Sequence, residues 1–518
     1  VKMKHTLRFL CAVLFFTLIP AGSQSFAASK GIVTITDKGT HFEVQQDYTQ
    51  STSRFEMGEH LYEQILLSIP EYENLIDSYL AELFPSPEIY TFMLSRVDDI
   101  KPQIPVQYRD EIDGMCSKAS GTQTVAGDGK LSADEIYLMQ LLPDVARTTE
   151  CSGISVFGSR SASGSLMTAR ILDWYEGSKN QLAQIQSVTT VKYGTKSLCM
   201  IGYLGFVGVL TAFNSDGVFA GILDSPSESP YSSTNKRSYI NDIRLALENY
   251  GTVADVASFL SDTLRKYTFN HLVLLSDKNS AGVLENNFSG TGLNIHRALR
   301  TDTSTLNPGI TWGFNNAVAT VNSFLLSGNL DNHTSFSFNT DRWESFKNEL
   351  QRCGDDVTMD ELKQIVSYVN ADGPQTPSDS DLYNLSTQHI VLFQPSDFHV
   401  EVSFRPKQGD LPQTPVFETI PVNFMANKVF RTRLAQSKSM LRNGSLMVSL
   451  DGSNSIMFKL SQPSMITIQL FDALGREVRS DFLGQLSAGV HNRKYSTGEL
   501  AGGMYYYSVK EQGSNTFK

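Results

Sequence analysis

The sequence predicts an α+β protein: a large unit with helices segregated from antiparallel strands, then a small all-β module. Three observations predict it. Residues 55–84 and 107–149 carry apolar residues at helical spacing. From 151 the pattern turns to short alternating strands (ISVFG, LMTARILDW, FVGVLTAFNSDGVFAGIL, HLVLLSDKNSAGVLE) with helices between them, an α+β arrangement. From 445 onward, strands alternate with turns about every ten residues, the pattern of a small β-sandwich.

Taken in order, residues 1–27 read as a secretory signal peptide. Lys2, Lys4 and Arg8 precede an eleven-residue apolar run from Phe9 to Ile19, and Ser25-Phe26-Ala27 supplies the small-residue cleavage site. The run is too short to span a bilayer. Residues 31–50 read as two strands with a turn at Lys38-Gly39. Ser132 to Glu135 is a capping box opening the helix IYLMQLL, and Thr358 to Glu361 is a second one within a helical stretch at 341–368. Asp216-Gly217 and Lys278-Asn279-Ser280 mark hairpin turns, and helices fall at 237–266. A polar linker is expected at 407–444. The chain divides as 1–27, 28–150, 151–406, 407–444 and 445–518.

With 43 Lys+Arg against 54 Asp+Glu the net charge is −11, deepening to −14 without the leader. That balance, lacking any long basic run, argues against nucleic acid as partner. Five cysteines in 518 residues make no disulfide scaffold. The nine histidines show no metal-ligand spacing, and no phosphate-binding glycine loop occurs, so neither metal nor cofactor is expected. Asp128-Gly129 with Glu135 imitates half a calcium loop, but Ala126 stands where a ligand is needed. Cys116, Cys199 and Cys353 read as buried thiols, with a disulfide between two of them open after export.

Cys151 carries the functional argument. It opens a strand in TTEC-SGISVFGSR, and a returning strand carries Arg170 and Asp173. A spacing of three puts those two on opposite faces, and each needs a partner in an otherwise apolar strand. From spacing alone, this reads as a structural cysteine beside a local salt bridge. The segment, however, resembles the catalytic start of cysteine-type N-terminal-nucleophile hydrolases, the acyl-coenzyme A:isopenicillin N acyltransferase family (peptidase family C45), with choloylglycine hydrolases, penicillin V acylase and acid ceramidase as relatives. The resembling motifs are Arg170-Ile171-Leu172-Asp173, the opening helix at 54–76, Glu111-Ile112-Asp113-Gly114, the two Asp/Asn-containing hairpins, Val321-Asn322-Ser323, and the helix start NTDRWESF with Arg342. They span about 45–405. The pattern departs in three places: Ser323 replaces a His, Asn339 replaces a Ser, and Asp224 stands where the choloylglycine relatives have Asn.

The resemblance implies a four-layer αββα sandwich and an autoprocessing amidohydrolase or acyltransferase. Cleavage between Glu150 and Cys151 would free an α-amine beside the thiol; that amine titrates near pH 8 and serves as base. The chains expected are 28–150 and 151–518. Asp173 would orient the ammonium, Arg170 would favour the thiolate, Asn322 would donate to the oxyanion, and Arg342 would complete the charge network. Asp224 is a further candidate, although a carboxylate donates only when protonated. The partner is a small-molecule acyl amide. Alternatives are an ester hydrolase of phospholipase B type on the same fold, or a non-catalytic surface protein.

The C-terminal run ITIQLFDALGREV followed by LAGGMYYYSVK resembles sorting domains of type IX-secreted bacterial proteins, with Ig-like modules of Gram-negative surface proteins as the alternative. That implies a secretion-machinery partner and a secreted or cell-surface location. The resembled pattern continues into one more short basic strand beyond Lys518.

Overall fold

The computed structural model describes residues 32–422 except 52, 147–148, 195, 226–231, 288–295, 331–332, 334–336, 371–372 and 375–380, together with 424 and the strands lying between 446 and 511. The expected leader therefore lies outside the described residues. The chain forms two compact units, Val1–Asn427 and Lys428–Lys518.

The first unit opens with the hairpin β1 (Val33–Asp37) and β2 (Phe42–Asp47), turned at Gly39 with φ +87°. Six helices follow: α1 (Arg54–Ser68), α2 (Tyr72–Leu83), α3 (Pro87–Ile100), α4 (Val106–Cys116), α5 (Ala133–Gln140) and α6 (Leu142–Val145). The capping box at Ser132 and Glu135 opens α5 as expected. The stretch expected to be helical at 107–149 is broken between α4 and α5. There the Asp77 carboxylate accepts from Gly127 N and Gly129 N at 2.7 and 2.6 Å, and both glycines have positive φ. The Asp-Gly loop is thus anchored by a side chain from α2.

The remaining elements are β3 (Thr149–Val156), β4 (Met167–Trp174), β5 (Gln186–Tyr193), β6 (Lys196–Tyr203), β7 (Thr211–Asn214), β8 (Phe219–Asp224), α7 (Tyr239–Asn249), α8 (Val253–Ser261), β9 (His271–Ser276), β10 (Ala281–Asn287), β11 (His296–Arg300), β12 (Ala317–Thr320), α9 (Ser337–Cys353), α10 (Met359–Val366), β13 (Thr387–Gln394), β14 (His399–Phe404) and β15 (Glu418–Thr419). They build a nine-stranded sheet, β1-β2-β5-β6-β7-β8-β9-β10-β11, and a six-stranded sheet, β12-β3-β4-β13-β14-β15. Only β2 with β5 is parallel among these pairings.

The sheets pack face to face, β3 on β8 and β9, and β12 on β10. Helices α7 and α8 cover the nine-stranded sheet, and α9 and α10 cover the other. This is the αββα sandwich. Side-chain alternation divides its cores. In β4, Leu172 joins the apolar core between the sheets, while Ala169 and Ile171 join the core under α9 and α10. The segment before Cys151 is built into this frame. β2 extends the nine-stranded sheet, and Glu111 of α4 pairs with Arg244 of α7 at 3.1 Å, both 1% exposed or less.

Part of the expected linker also belongs here. β15 pairs with β14, and Phe424 is buried against Phe213 and Phe398. The polar composition of 407–424 hid its few apolar anchors. The second unit holds β16 (Leu446–Asp451), β17 (Ser455–Leu460), β18 (Ser464–Asp472), β19 (Glu477–Leu486), β20 (Gly489–Lys494) and β21 (Tyr505–Glu511). They form two three-stranded antiparallel sheets, β16-β17-β20 and β19-β18-β21. Residues 473–476 of the sorting-domain resemblance lie outside the described residues.

Candidate active site

Cys151 is the third residue of β3, not its first: the strand begins at Thr149, so the Glu150–Cys151 peptide lies inside a β-ladder. The thiol is fully buried. On one side, β12 pairs with β3 as far as Thr320 opposite Gly153. Two residues later the Asn322 side chain takes over the next rung: Cys151 N donates to Asn322 Oδ1 at 2.8 Å. Asn322 Nδ2 donates to the Asp224 backbone oxygen at 2.7 Å. These two partners fix which end of the amide is which. Asn322, expected as an oxyanion donor, therefore accepts from the Cys151 N–H in the intact chain. Because the peptide is trans, the Glu150 carbonyl points the opposite way, toward β4.

Arg170 sits opposite Gly153 and shares the inner face of the sheet with Cys151 and Leu172. Its Nη2 lies 3.2 Å from Cys151 Sγ and donates to Ile222 O at 2.8 Å. Its Nη1 approaches His389 Nε2 at 3.5 Å. The aliphatic stem crosses β8 at Gly221, where an added Cβ would lie 2.9 Å from Arg170 Cγ. Glycine is required there by close approach.

Asp173 turns to the other face, as its spacing predicts. Arg342 of α9 reaches it at 3.1 Å, Asn384 Nδ2 donates to it at 3.0 Å and Thr387 Oγ1 at 2.8 Å. Asp173 and Arg342 are both fully buried. In the intact chain these three groups hold the carboxylate that the resemblance assigned to the ammonium, while Asn322 meets the Cys151 nitrogen. Asp224 accepts at Oδ1 from the Tyr239 hydroxyl at 3.1 Å. Asn339, the departure at the start of α9, donates from Nδ2 to Asn322 O at 3.2 Å, so it supports the residue beside Cys151.

Electrostatics oppose a free thiolate. Burial pushes the Cys151 thiol up to about 12, and Arg170 pulls it down by less. Burial also lowers Arg170 and raises Asp173 against the pull of Arg342. His389 is held well below its ordinary range by burial and by Arg170, so it stays neutral. The expected activation by Arg170 has the right sign but does not outweigh desolvation.

Cys151, Arg170, Asn322 and the backbone oxygen of Asp224 meet at the Glu150–Cys151 peptide, whereas Asp173 and Arg342 pair on the opposite face of β4. Sequence reasoning missed Tyr239, Asn384, Thr387 and His389. The last two carried a signal: they are polar side chains in the apolar strand TQHIVLFQ, and such groups need partners. Cys116, Cys151, Cys199 and Cys353 are all free thiols. Among the described residues, no cluster of three or more His, Cys, Asp or Glu is arranged to hold a metal ion.

The profile of a family described as acyl-coenzyme A:6-aminopenicillanic acid acyl-transferase matches residues 163–353. The match includes Arg170, Asp173, Asp224, Asn322 and Arg342, and it begins downstream of Cys151. Solved structures similar to this chain include a Caenorhabditis elegans N-acylethanolamine-hydrolyzing acid amidase ortholog, at 17% identity, covering 51% of this chain and 100% of that one, with a TM-score of 0.35. A conjugated bile acid hydrolase from Clostridium perfringens has 12% identity, coverage of 53% and 97%, and a TM-score of 0.32. Penicillin V acylase from Agrobacterium tumefaciens has 12% identity, coverage of 49% and 82%, and a TM-score of 0.29. No curated protein sequence matches the chain.

Proposed function

We propose that this protein is an exported, self-processing amidohydrolase or acyltransferase that breaks a non-peptide C–N amide through a thioester on Cys151. The observation that carries this reading is the environment of one peptide bond. A buried thiol lies beside Arg170, and its own N–H is held by Asn322. The family match over 163–353 supports the acyl-transfer class.

In the intact chain, Cys151 Sγ attacks the Glu150 carbonyl carbon. The C–N bond breaks, the Cys151 nitrogen takes up a proton as an amine, and Glu150 is left as a thioester that water hydrolyses. Asn322 holds the leaving nitrogen throughout. The new α-amine then accepts the thiol proton, which removes the need for a thiolate preformed against burial. In turnover, sulfur attacks the substrate carbonyl, and the amine's proton passes to the leaving nitrogen. Water then hydrolyses the thioester. Asn322 Oδ1 orients the amine, and the second Nδ2 hydrogen is available to the oxyanion. Arg342, Asn384 and Thr387 hold Asp173 in place.

The basic start and apolar run before Ala27 support export, and the C-terminal resemblance supports attachment through a secretion machinery. The test is to incubate purified protein with a panel of N-acyl amides and quench in acid. An acyl adduct on the peptide that begins at Cys151, together with a released amine, is the expected result. Turnover with no adduct, and undiminished in Cys151→Ala, would reject the reading.

A further inference from the structure

The space between the two sheets holds a second polar group, Tyr203, on the inner face of β6. Alternation places it. Phe213 and Phe219 stack on Phe393 of the opposite sheet, so their faces of β7 and β8 point inward. Thr211 pairs with Ile201, and Cys199 with Phe213, so the odd residues of β6 share that inward face. Tyr203, the last residue of β6, therefore points at β3 and β4. Its ring meets Trp174 edge-on with centroids 6.0 Å apart. Trp174, Leu172 and Arg170 alternate along the inner face of β4, with Cys151 beside Leu172.

Tyr203 is 2% exposed. Among the described residues its hydroxyl has no hydrogen-bond partner, and Arg170 Nε and His389 Nδ1 on the same inner space have none either. Burial holds the phenol well above its usual range, while Arg170 pulls it down and Cys151 pushes it up, so both lie within electrostatic reach. A buried hydroxyl left unpaired gives up its bonds to water for nothing, and native interiors retain few of them. Phenylalanine would fill the same volume without that cost.

We propose that Tyr203 is a catalytic residue, its hydroxyl donating to the substrate's acyl oxygen as Cys151 attacks. This rests on the reading of Cys151 as nucleophile. As the S–C bond forms, the carbonyl π pair moves onto oxygen, and the Tyr203 O–H and the Arg170 Nε–H stabilise that oxyanion. When the C–N bond breaks, the pair returns and the amine leaves with its proton. Tyr203 keeps its own proton throughout. It supplies the neutral donor that the Asp224 carboxylate cannot.

The test is Tyr203→Phe in the full-length protein, with turnover counted per chain that begins at Cys151. The expected result is a kcat about 100-fold lower with KM nearly unchanged, together with a thermal midpoint equal to or above the wild type. A structural hydroxyl would lower the midpoint instead. Wild-type kcat in the variant overturns the proposal, as does a fall in kcat accompanied by lost stability. A variant that stays uncut at an unchanged midpoint overturns a role in turnover. Cys151→Ala run alongside separates the two levels. If the wild type itself forms no acyl adduct, the nucleophile reading fails and takes this inference with it.

Discussion

Around Cys151 and Asp173, burial sets the cost of every charge. The thiol is raised to about 12 while the chain is intact, so alkylation at neutral pH should be slow before cleavage. If the proposed cleavage frees the α-amine, the same sulfur should react at least tenfold faster, as a time course of iodoacetamide labelling would show. Burial raises Asp173 as well, but this carboxyl is paired with Arg342. Asp173→Asn leaves Arg342 buried without its counter-charge, a loss of about 3–5 kcal/mol that urea denaturation would register as a lower midpoint. Much of this was legible in the sequence. Arg170 and Asp173 stand out as charges in an apolar strand, and period two correctly sends them to opposite faces. The groups that receive Asp173 were not legible as such. Asn384 and Thr387 lie 211 and 214 residues along the chain from it, and only the pairing of β13 with β4 brings them near.

Among the elements, β8 and β12 govern the geometry. Gly221 of β8 leaves room for the Arg170 stem, since even a Cβ there would sit 2.9 Å from Cγ. Gly221→Val should displace the guanidinium from the sulfur and slow self-cleavage at least tenfold, read as accumulation of the uncut band, while far-UV circular dichroism stays unchanged. β12 acts by ending early. Its ladder with β3 stops at Thr320, and Asn322 supplies the next rung from its side chain. The strands and turns of this region were readable as alternating segments. The replacement of a backbone rung by an amide was not, because it depends on where a strand stops. The start of β3 at Thr149 is hidden in the sequence for a related reason. Thr149 and Glu150 are polar, and only pairing with Trp174 and Asp173 marks them as strand.

Across the whole molecule, the residues before Cys151 are part of the fold. β2 adds to the nine-stranded sheet, and Glu111–Arg244 is a buried ion pair across the two segments. The two chains that the proposed cleavage would leave should therefore co-elute in size-exclusion chromatography and separate only in denaturant. A second consequence is pH dependence. Asp144 of α6 accepts from Ser238 Oγ and Tyr239 N at the start of α7, at 2.6 and 3.0 Å. Burial, with Asp242 and Asp224 adding to it, lifts this carboxyl to about 8 against those hydrogen bonds. The folded state thus holds a proton that the unfolded chain loses above about pH 4. The contribution to stability is complete below that pH and is lost as pH rises through about 8. Thermal midpoints measured from pH 5 to 8 should fall more steeply in the wild type than in Asp144→Asn.

The central claim is that Cys151 becomes a chain terminus and then acts from it. Intact-mass spectrometry of the purified protein tests this most directly. A chain whose first residue is Cys151, absent from Cys151→Ala, is the expected result. A single uncut chain that turns over acyl amides at full rate would contradict it.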